Sequence, residues 1–434
     1  MSKPQPTFKR ALPWLMTEGA LAMSYETLIG PVYLSAWAGS IGVPTEKLVW
    51  VTSIPLLGSV LQLLGVMALS GSCSRLPLKW LCIFLSLVAR SLWVLAFLLP
   101  VAGPESIGII ATASSAIGLT GTSFWMAWMK GTVPPRFEGR FWGARARGST
   151  LGIIGAHLAA GALLQLSVQF LAQPSDARFG VLLTLALLSA AGSLWLLVGP
   201  AGSLGLREKE KTHFRLNLTQ VFSSPSDRQL IWTWCLFHAG VQLGAPYFPY
   251  YYTREVGLAP AEVALWYGIT QTAIAVSAIS WGRRWDRSFN GRDLSPRTLL
   301  LVTGTVLALS PIPYMIKDAS VLRWIGPPEY FINGLAWAGF QIGFNTLLFK
   351  RAGNQNPSRA TALFAVMTAA QGASSALAAW AGSVLAQALE AWGGFQALWA
   401  LTACIRLSIA WFILPAVVSD EKPPPRQAHV PIAS

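Results

Sequence analysis

Long apolar runs, separated by short polar stretches, set the pattern of this chain. A helix that crosses a bilayer needs about 20 predominantly apolar residues. On that measure the sequence predicts about twelve spans. They fall at 12–37, 44–70, 78–102, 105–130, 148–172, 177–200, 229–253, 259–281, 297–317, 324–349, 357–388 and 393–418. The one long break, 201–228, opens on the charged stretch 207–215 and passes into a short amphipathic run. It divides the spans into two sets of six. The expected organisation is a first bundle at 1–200, a cytoplasmic linker at 201–228, a second bundle at 229–420 and a cytoplasmic tail at 421–434.

Composition agrees with a chain whose outer surface meets lipid. Charged residues make up 12% and hydrophobic ones 53%, with mean hydropathy +0.49. A soluble domain carries about 25% charged residues because its surface must face water. The net charge of +14 raises nucleic acid as a partner. The basic residues, however, sit in short loops between apolar runs rather than on one polar module, which points to the anionic inner leaflet and excludes nucleic acid. With the N-terminus inside, 25 of the 32 basic residues fall in inner loops and tails. The outer loops hold only Lys47, Arg178, Arg254, Lys317 and Arg323, and Arg90 and Arg406 lie within spans. The positive-inside rule therefore puts both termini in the cytoplasm, in keeping with an even number of spans. The polar start leads into an apolar stretch too long for a signal h-region, so the first helix is expected to serve as the targeting signal. Cys73, Cys82, Cys235 and Cys404 are scattered, and the four histidines at 157, 213, 238 and 429 are dispersed. Neither a disulfide framework nor a metal site is expected, and no cofactor motif is present.

The two sets of six also look related. After the second span, Ser70, Ser74 and Arg75 stand 212 positions before Gly282, Asp286 and Arg287 after the eighth, and Pro77 and Lys79 follow the first set as Gly291 and Arg292 follow the second. The loops after spans 4 and 10 both carry Pro then Arg, at 135–140 and 357–359. Two six-helix halves in parallel repeat are a common plan for transporters. Gly282-x-x-x-Asp286-Arg287 resembles the loop signature of the major facilitator superfamily, G-x-x-x-D-R/K-x-G-R/K-R/K. In the first-half copy Ser70 stands for Gly, Ser74 for Asp and Pro77 for Gly, while Arg75 and Lys79 remain. The stretch 133–143 resembles the P-x-x-x-R-G-R loop before helix 5, and with Glu18, Gly19, Trp125 and Trp128 it is similar to a large bacterial branch. The resemblance covers nearly the whole chain. It implies an all-α membrane protein of about twelve helices in two six-helix pseudo-repeats, with spans 1, 4, 7 and 10 lining a central cavity.

Within that frame the chemistry-bearing candidates are few. A loop Asp beside a helix N-terminus is favoured by the helix dipole and can pair with neighbouring arginines. Asp286, Arg287, Arg283 and Gly282, with Arg75 from the first half, are the expected cytoplasmic gate. The plainer account of the arginines is that they obey topology alone. Polar groups inside hydrocarbon cost a few kcal/mol each unless they face protein or water. Glu18 and Glu26 of span 1 lie about 12 Å apart along its axis. The 212-residue offset maps Glu26 onto His238, so Glu26, Glu18 and His238 are the proton-coupling candidates. Gln242, one turn from His238, and Glu329, Asn333, Trp337 and Gln341 of span 10 are the substrate-binding candidates, joined by Trp125 of span 4. For each the competing account is a structural hydrogen bond or an interfacial aromatic. The tyrosines and prolines at 246–252 fit an outer gate or an aromatic belt. Gly148, Gly152, Gly155 and Gly161 of span 5 fit close helix packing.

The function expected is secondary active transport of a small organic solute across the cytoplasmic membrane by a monomer coupled to protons. Exporters of the superfamily often carry an Arg in helix 4 and a Gly-Pro in helix 5; neither is present, which favours uptake. The alternatives are a multidrug or lipophile exporter, to which the 20 tryptophans lend some support, and a non-transporting scaffold or receptor. An enzyme is not expected, because HExxH, Walker A and G-x-S-x-G motifs are all missing.

Overall fold

The structure is a computed structural model that describes residues 6–30, 33–34, 54–72, 77–98, 104–171, 175–199, 218–248, 251–252, 255–353 and 357–415. Among them run twelve long helices. The first half holds α1 (Pro6–Leu28), α2 (Gly58–Ser72), α3 (Leu78–Leu98), α4 (Pro104–Thr132), α5 (Glu138–Leu171) and α6 (Ser175–Val198). The second half holds α7 (Pro225–Gln242), α8 (Pro260–Phe289), α9 (Pro296–Leu309), α10 (Ala319–Arg351), α11 (Pro357–Ala388) and α12 (Phe395–Ser408). A short helix, Leu218–Ser223, precedes α7. The start of the expected second span, the linker residues 201–217 and Arg75 lie outside the described residues.

Local chemistry fixes where the second-half helices begin. The Ser224, Ser295 and Asp318 side chains accept backbone N–H bonds at the starts of α7, α9 and α10, and Pro225, Pro260 and Pro296 open α7, α8 and α9. Those first-turn donors have no partner within the helix, so a cap or a proline removes the penalty. Prolines also end helices. The expected seventh span reaches 253, yet α7 stops at Gln242, before Pro246, and the chain continues as a 3₁₀ turn at Ala245–Tyr247. Pro311 ends α9 in the same way, with a 3₁₀ turn at Ile312–Met315. α5 departs in the other direction. It begins at Glu138, ten residues before the predicted span, because the charged segment Glu138–Arg147 is helical although too polar for lipid.

Seven helices, α3, α4, α6, α8, α9 with its following turn, α11 and α12, are long and apolar enough to cross a bilayer. Outside that group stand α2, which is apolar but shorter, and α1, α5, α7 and α10, the helices that carry Glu18, Glu26, Arg145, His238 and Glu329. Their lower hydropathy has a cause, since they turn polar groups inward. Large apolar side chains are exposed all over the exterior, Leu158 at 69% and Phe412 at 81% among them. A water-soluble protein does not leave so much apolar surface bare; a bilayer requires it.

The halves meet along two seams. In one, α5 lies against α8; in the other, α11 lies against α2 and α4. At the first, a Cβ on Gly139 would stand 2.5 Å from the carbonyl oxygen of Gly282, and a Cβ on Gly282 would strike the Gly139 backbone in return. Only glycine lets these backbones touch. Gly148 and Gly152 bring α5 equally close to Met16 and Ala20 of α1, whereas Gly155 and Gly161 face open space. An apolar core containing Trp125, Trp142, Trp285 and Phe349 continues across both halves.

Candidate functional site

Three polar clusters among the described residues hold the predicted site groups. The first lies at the basic end of the α5–α8 seam. The Asp286 carboxylate of α8 accepts hydrogen bonds from the backbone N–H of Gly139 at 2.7 Å and of Arg140 at 3.0 Å. These are unpaired donors in the first turn of α5, so a side chain of one half caps a helix of the other. The Arg140 guanidinium adds an ion pair at 3.5 Å. Glu138, the residue before Gly139, pairs with Lys130 at 2.7 Å and with Lys350 of α10 at 3.3 Å, and Lys350 donates to the Pro135 carbonyl oxygen at 2.9 Å. Trp142 stands edge-on to Phe349 across the same seam, with ring centroids 5.1 Å apart. Along the other seam Thr361 donates to the Ser123 carbonyl oxygen at 3.2 Å, and Gln62 donates to that of Ala365 at 3.4 Å.

The second cluster is charged and lies inside the first half. Glu18 of α1 is buried; one carboxylate oxygen pairs with Arg145 of α5 and the other accepts from Ser193 of α6 at 3.0 Å. Arg145 also donates to the Leu15 carbonyl oxygen at 2.8 Å and lies over the Trp125 ring, 4.7 Å from its centroid. Ser193 in turn accepts from Arg90 of α3 at 3.2 Å, and Arg90 donates to the Ala190 carbonyl oxygen at 2.9 Å and stacks over Tyr25. Four helices are thus joined through one Arg–Ser–Glu–Arg chain. Glu26, two turns along α1, is exposed, with Arg90, Arg145 and Glu18 within electrostatic reach.

The third cluster lies in the second half. The His238 ring of α7 packs 4.3 Å from Trp234 and 5.8 Å from Trp337 of α10, centroid to centroid. Gln371 of α11 contacts His238 Nδ1 at 3.3 Å and accepts from Trp234 Nε1 at 2.8 Å. Further along α10, Glu329 accepts from Tyr314 at 2.9 Å and from Asn333 at 3.3 Å. Arg406 of α12 is buried, and it donates to the carbonyl oxygens of Gly240, Val241 and Leu307 at 3.1 Å and to the Ser310 hydroxyl at 3.3 Å. Pro311 leaves Leu307 without its helical donor, and the guanidinium and the Ser310 hydroxyl, at 3.0 Å, supply the replacement.

The Major Facilitator Superfamily family model matches residues 19–370. The chain belongs to the Major Facilitator Superfamily. Solved structures give the same fold. A bacterial homologue of the iron transporter ferroportin, in its outward-facing state, is 18% identical, with a TM-score of 0.72 over 95% of this chain and all of that one. The same type of protein soaked with iron is 16% identical, with a TM-score of 0.70 over 94% of this chain and 99% of that one. The human organic anion transporter MFSD10 is 15% identical, with a TM-score of 0.65 over 94% of this chain and all of that one. At these identities the likeness concerns fold alone. No curated protein matches the chain by sequence. Family and neighbours identify a multi-pass membrane protein of transporter type rather than an enzyme.

On this superfamily fold the predicted residues separate into distinct surroundings. Asp286 and Gly282 meet the first half directly, whereas Arg283 is exposed and Arg287 pairs with Asp293 of its own loop at 3.2 Å. The cationic partners of the joint are Arg140 and Lys350, and what the loop signature hides is that Asp286 caps α5. Glu26 and His238, paired by the repeat offset, stand in different halves without contact. Glu18 has Arg145 as its partner, an α5 residue that the sequence placed in an inner loop and counted only for topology; Arg406 pairs mainly with backbone oxygens, and Arg90 with the Ala190 oxygen and the Ser193 hydroxyl. Trp337, Asn333 and Glu329 face the second-half cluster, Gln341 is exposed and Gln242 is half-buried. Trp125 lies under Arg145, in the first-half cluster. Sequence reasoning missed Gln371, Trp234, Arg145 and Glu138. Their signal was weak, because a polar residue in a long apolar run is visible whereas its partner on another helix is not.

Proposed function

We propose that this superfamily member is a secondary active transporter that carries a small organic solute across the cytoplasmic membrane, in symport with protons, as a monomer with both termini in the cytoplasm. In this reading residues 1–200 and 229–420 are two bundles that rock about the bound solute, 201–228 tethers them and 421–434 is a tail. The single observation that supports it is the joint at the basic end. Two halves are held there by a helix cap and a few ion pairs, Asp286 on Gly139 and Arg140, Glu138 on Lys350, beside glycine backbones. Such contacts break and re-form at modest cost, as alternation requires. We assign proton coupling to Glu26, the exposed carboxylate near Arg90 and Arg145, while Glu18 keeps Arg145 in place, and solute contact to Gln242, Asn333, Trp337, Gln341 and Glu329 of α7 and α10.

The test uses purified protein in liposomes loaded with a pH-sensitive dye and challenged with amino acids, sugars, carboxylates and aromatic compounds. Solute-dependent proton flux is expected in the wild type and not in Glu26→Gln. Undiminished coupled flux in that variant removes Glu26 from the mechanism, and solute movement indifferent to a pH gradient removes proton coupling. Ferrous ion in the same vesicles tests the cargo named for the two bacterial neighbours. Export of lipophiles is the second reading, favoured by the tryptophans around His238; an expressing strain that outgrows its parent on toxic lipophiles would support it over uptake.

A further inference from the structure

The amide of Gln371 determines which nitrogen of His238 carries the proton. Indole Nε1–H is a donor only, so the atom of Gln371 facing Trp234 at 2.8 Å is its oxygen. The amide nitrogen, a donor only, then faces His238 Nδ1 at 3.3 Å. Nδ1 must accept. A neutral imidazole that accepts at Nδ1 carries its proton at Nε2. A second proton on Nδ1 would set N–H against NH₂, and turning the amide to relieve that clash would break the Trp234 bond.

The Nε2–H so defined is buried and has no hydrogen-bond partner among the described residues, in a side chain only 7% exposed. A buried donor left unpaired is costly, and native structures seldom keep one without a bound group to meet it. The imidazole packs against the Trp234 and Trp337 rings. We infer that His238 is a fixed-tautomer hydrogen-bond donor for the cargo, and that the cargo presents an acceptor oxygen, neutral or anionic, on a flat apolar or aromatic body. This rests on the transport reading and narrows it. It replaces a proton-carrying role for His238 with one in recognition, and makes Gln371 and Trp234 positioning residues.

The test labels histidine with ¹⁵N in the full-length protein in lipid nanodiscs and assigns the His238 signal by its loss in His238→Phe. In the wild type Nε2 is expected to be the protonated nitrogen and Nδ1 the bare one. Four probes follow, acetophenone, benzoate, benzylamine and toluene. Acetophenone or benzoate, each with an acceptor on a ring, should shift the Nε2 signal and quench tryptophan fluorescence, and the other two should not. Gln371→Glu puts an acceptor against Nδ1 and should invert the tautomer, weakening acetophenone about tenfold, the size of one neutral hydrogen bond. Trp234→Phe removes the group that orients the amide and should populate both tautomers, which keeps the test available if Gln371→Glu does not fold. A proton on Nδ1 in the wild type, an Nε2 signal that no probe moves, or toluene matching acetophenone overturns the inference. Those results leave proton-coupled flux untouched, whereas a protein that moves nothing but shows the expected tautomer and probe pattern sinks the transport reading and leaves His238 the donor of a binding site without a transported cargo.

Discussion

Asp286→Asn is the sharpest probe of the joint between the halves. The substitution keeps size and shape, removes the charge and replaces one acceptor with an NH₂ donor. Asp286 caps α5 through two bonds, at 2.7 and 3.0 Å, with Arg140 3.5 Å away. Asparagine oxygen can satisfy one of the two amides, and its NH₂ then opposes the other. A hydrogen bond to a charged group contributes about 1.5–3 kcal/mol against about 0.5–1.5 for a neutral one. The negative charge at a helix start adds about 0.3–1 kcal/mol. Relief of the desolvation of a buried carboxylate offsets part of the loss. A net cost of about 2 kcal/mol, borne only while the joint is closed, favours the open form by about thirtyfold. The readout is a cysteine at Thr361, fully buried where its hydroxyl meets the Ser123 carbonyl oxygen on the other seam, with Cys73, Cys82, Cys235 and Cys404 replaced. Alkylation by a water-soluble maleimide requires opening, so its rate follows the open fraction and should rise about thirtyfold. If both Asp286→Asn and Asp286→Ala fold and alkylate at the wild-type rate, Asp286 does not hold the halves together.

Three further outcomes follow from the same geometry. Glu18→Ala leaves Arg145 inside the first half without its carboxylate and should cost about 3–5 kcal/mol in thermal or denaturant unfolding; Glu18→Ala with Arg145→Met should recover much of that, and additive losses would contradict a pair. Arg406→Lys cannot reach four acceptors from one ammonium, so it should lower the melting temperature nearly as far as Arg406→Leu; a lysine variant as stable as the wild type would mean that the guanidinium fork is dispensable. Asp318 accepts from the Ser320 N–H at 2.8 Å, the Val321 N–H at 3.3 Å and the Ser320 hydroxyl at 2.6 Å, bonds that hold its carboxyl below the usual carboxylate value. Its contribution to stability is therefore present above the ordinary carboxylate range and lost as pH falls through the lowered value. Asp318→Ala should be less stable than the wild type at neutral pH and converge with it in acid, and a gap independent of pH would exclude the cap.

Hydropathy and charge alone settled much of this protein. Apolar run length reports the thickness of a bilayer, and every backbone polar group in lipid must be satisfied within its own helix, so the class of fold and the number of crossings are local properties of the sequence. The interior ions Glu18, Glu26, Arg90 and Arg406 were visible for the same reason, as charges where lipid tolerates few. What no run or spacing contained was which charge meets which. Glu18 and Arg145 are 127 positions apart, Asp286 and Gly139 147, and His238 and Gln371 133. Repeat symmetry related Glu26 to His238 by position, but the partners of each, Arg90 and Arg145 near the one and Gln371 and Trp234 around the other, are set by helices that the repeat offset does not name. Helix ends were a further limit, since α5 continues past the apolar run and α7 stops inside one. Both depend on caps and prolines judged against neighbours, and only the packed bundle decides which donors are left without partners.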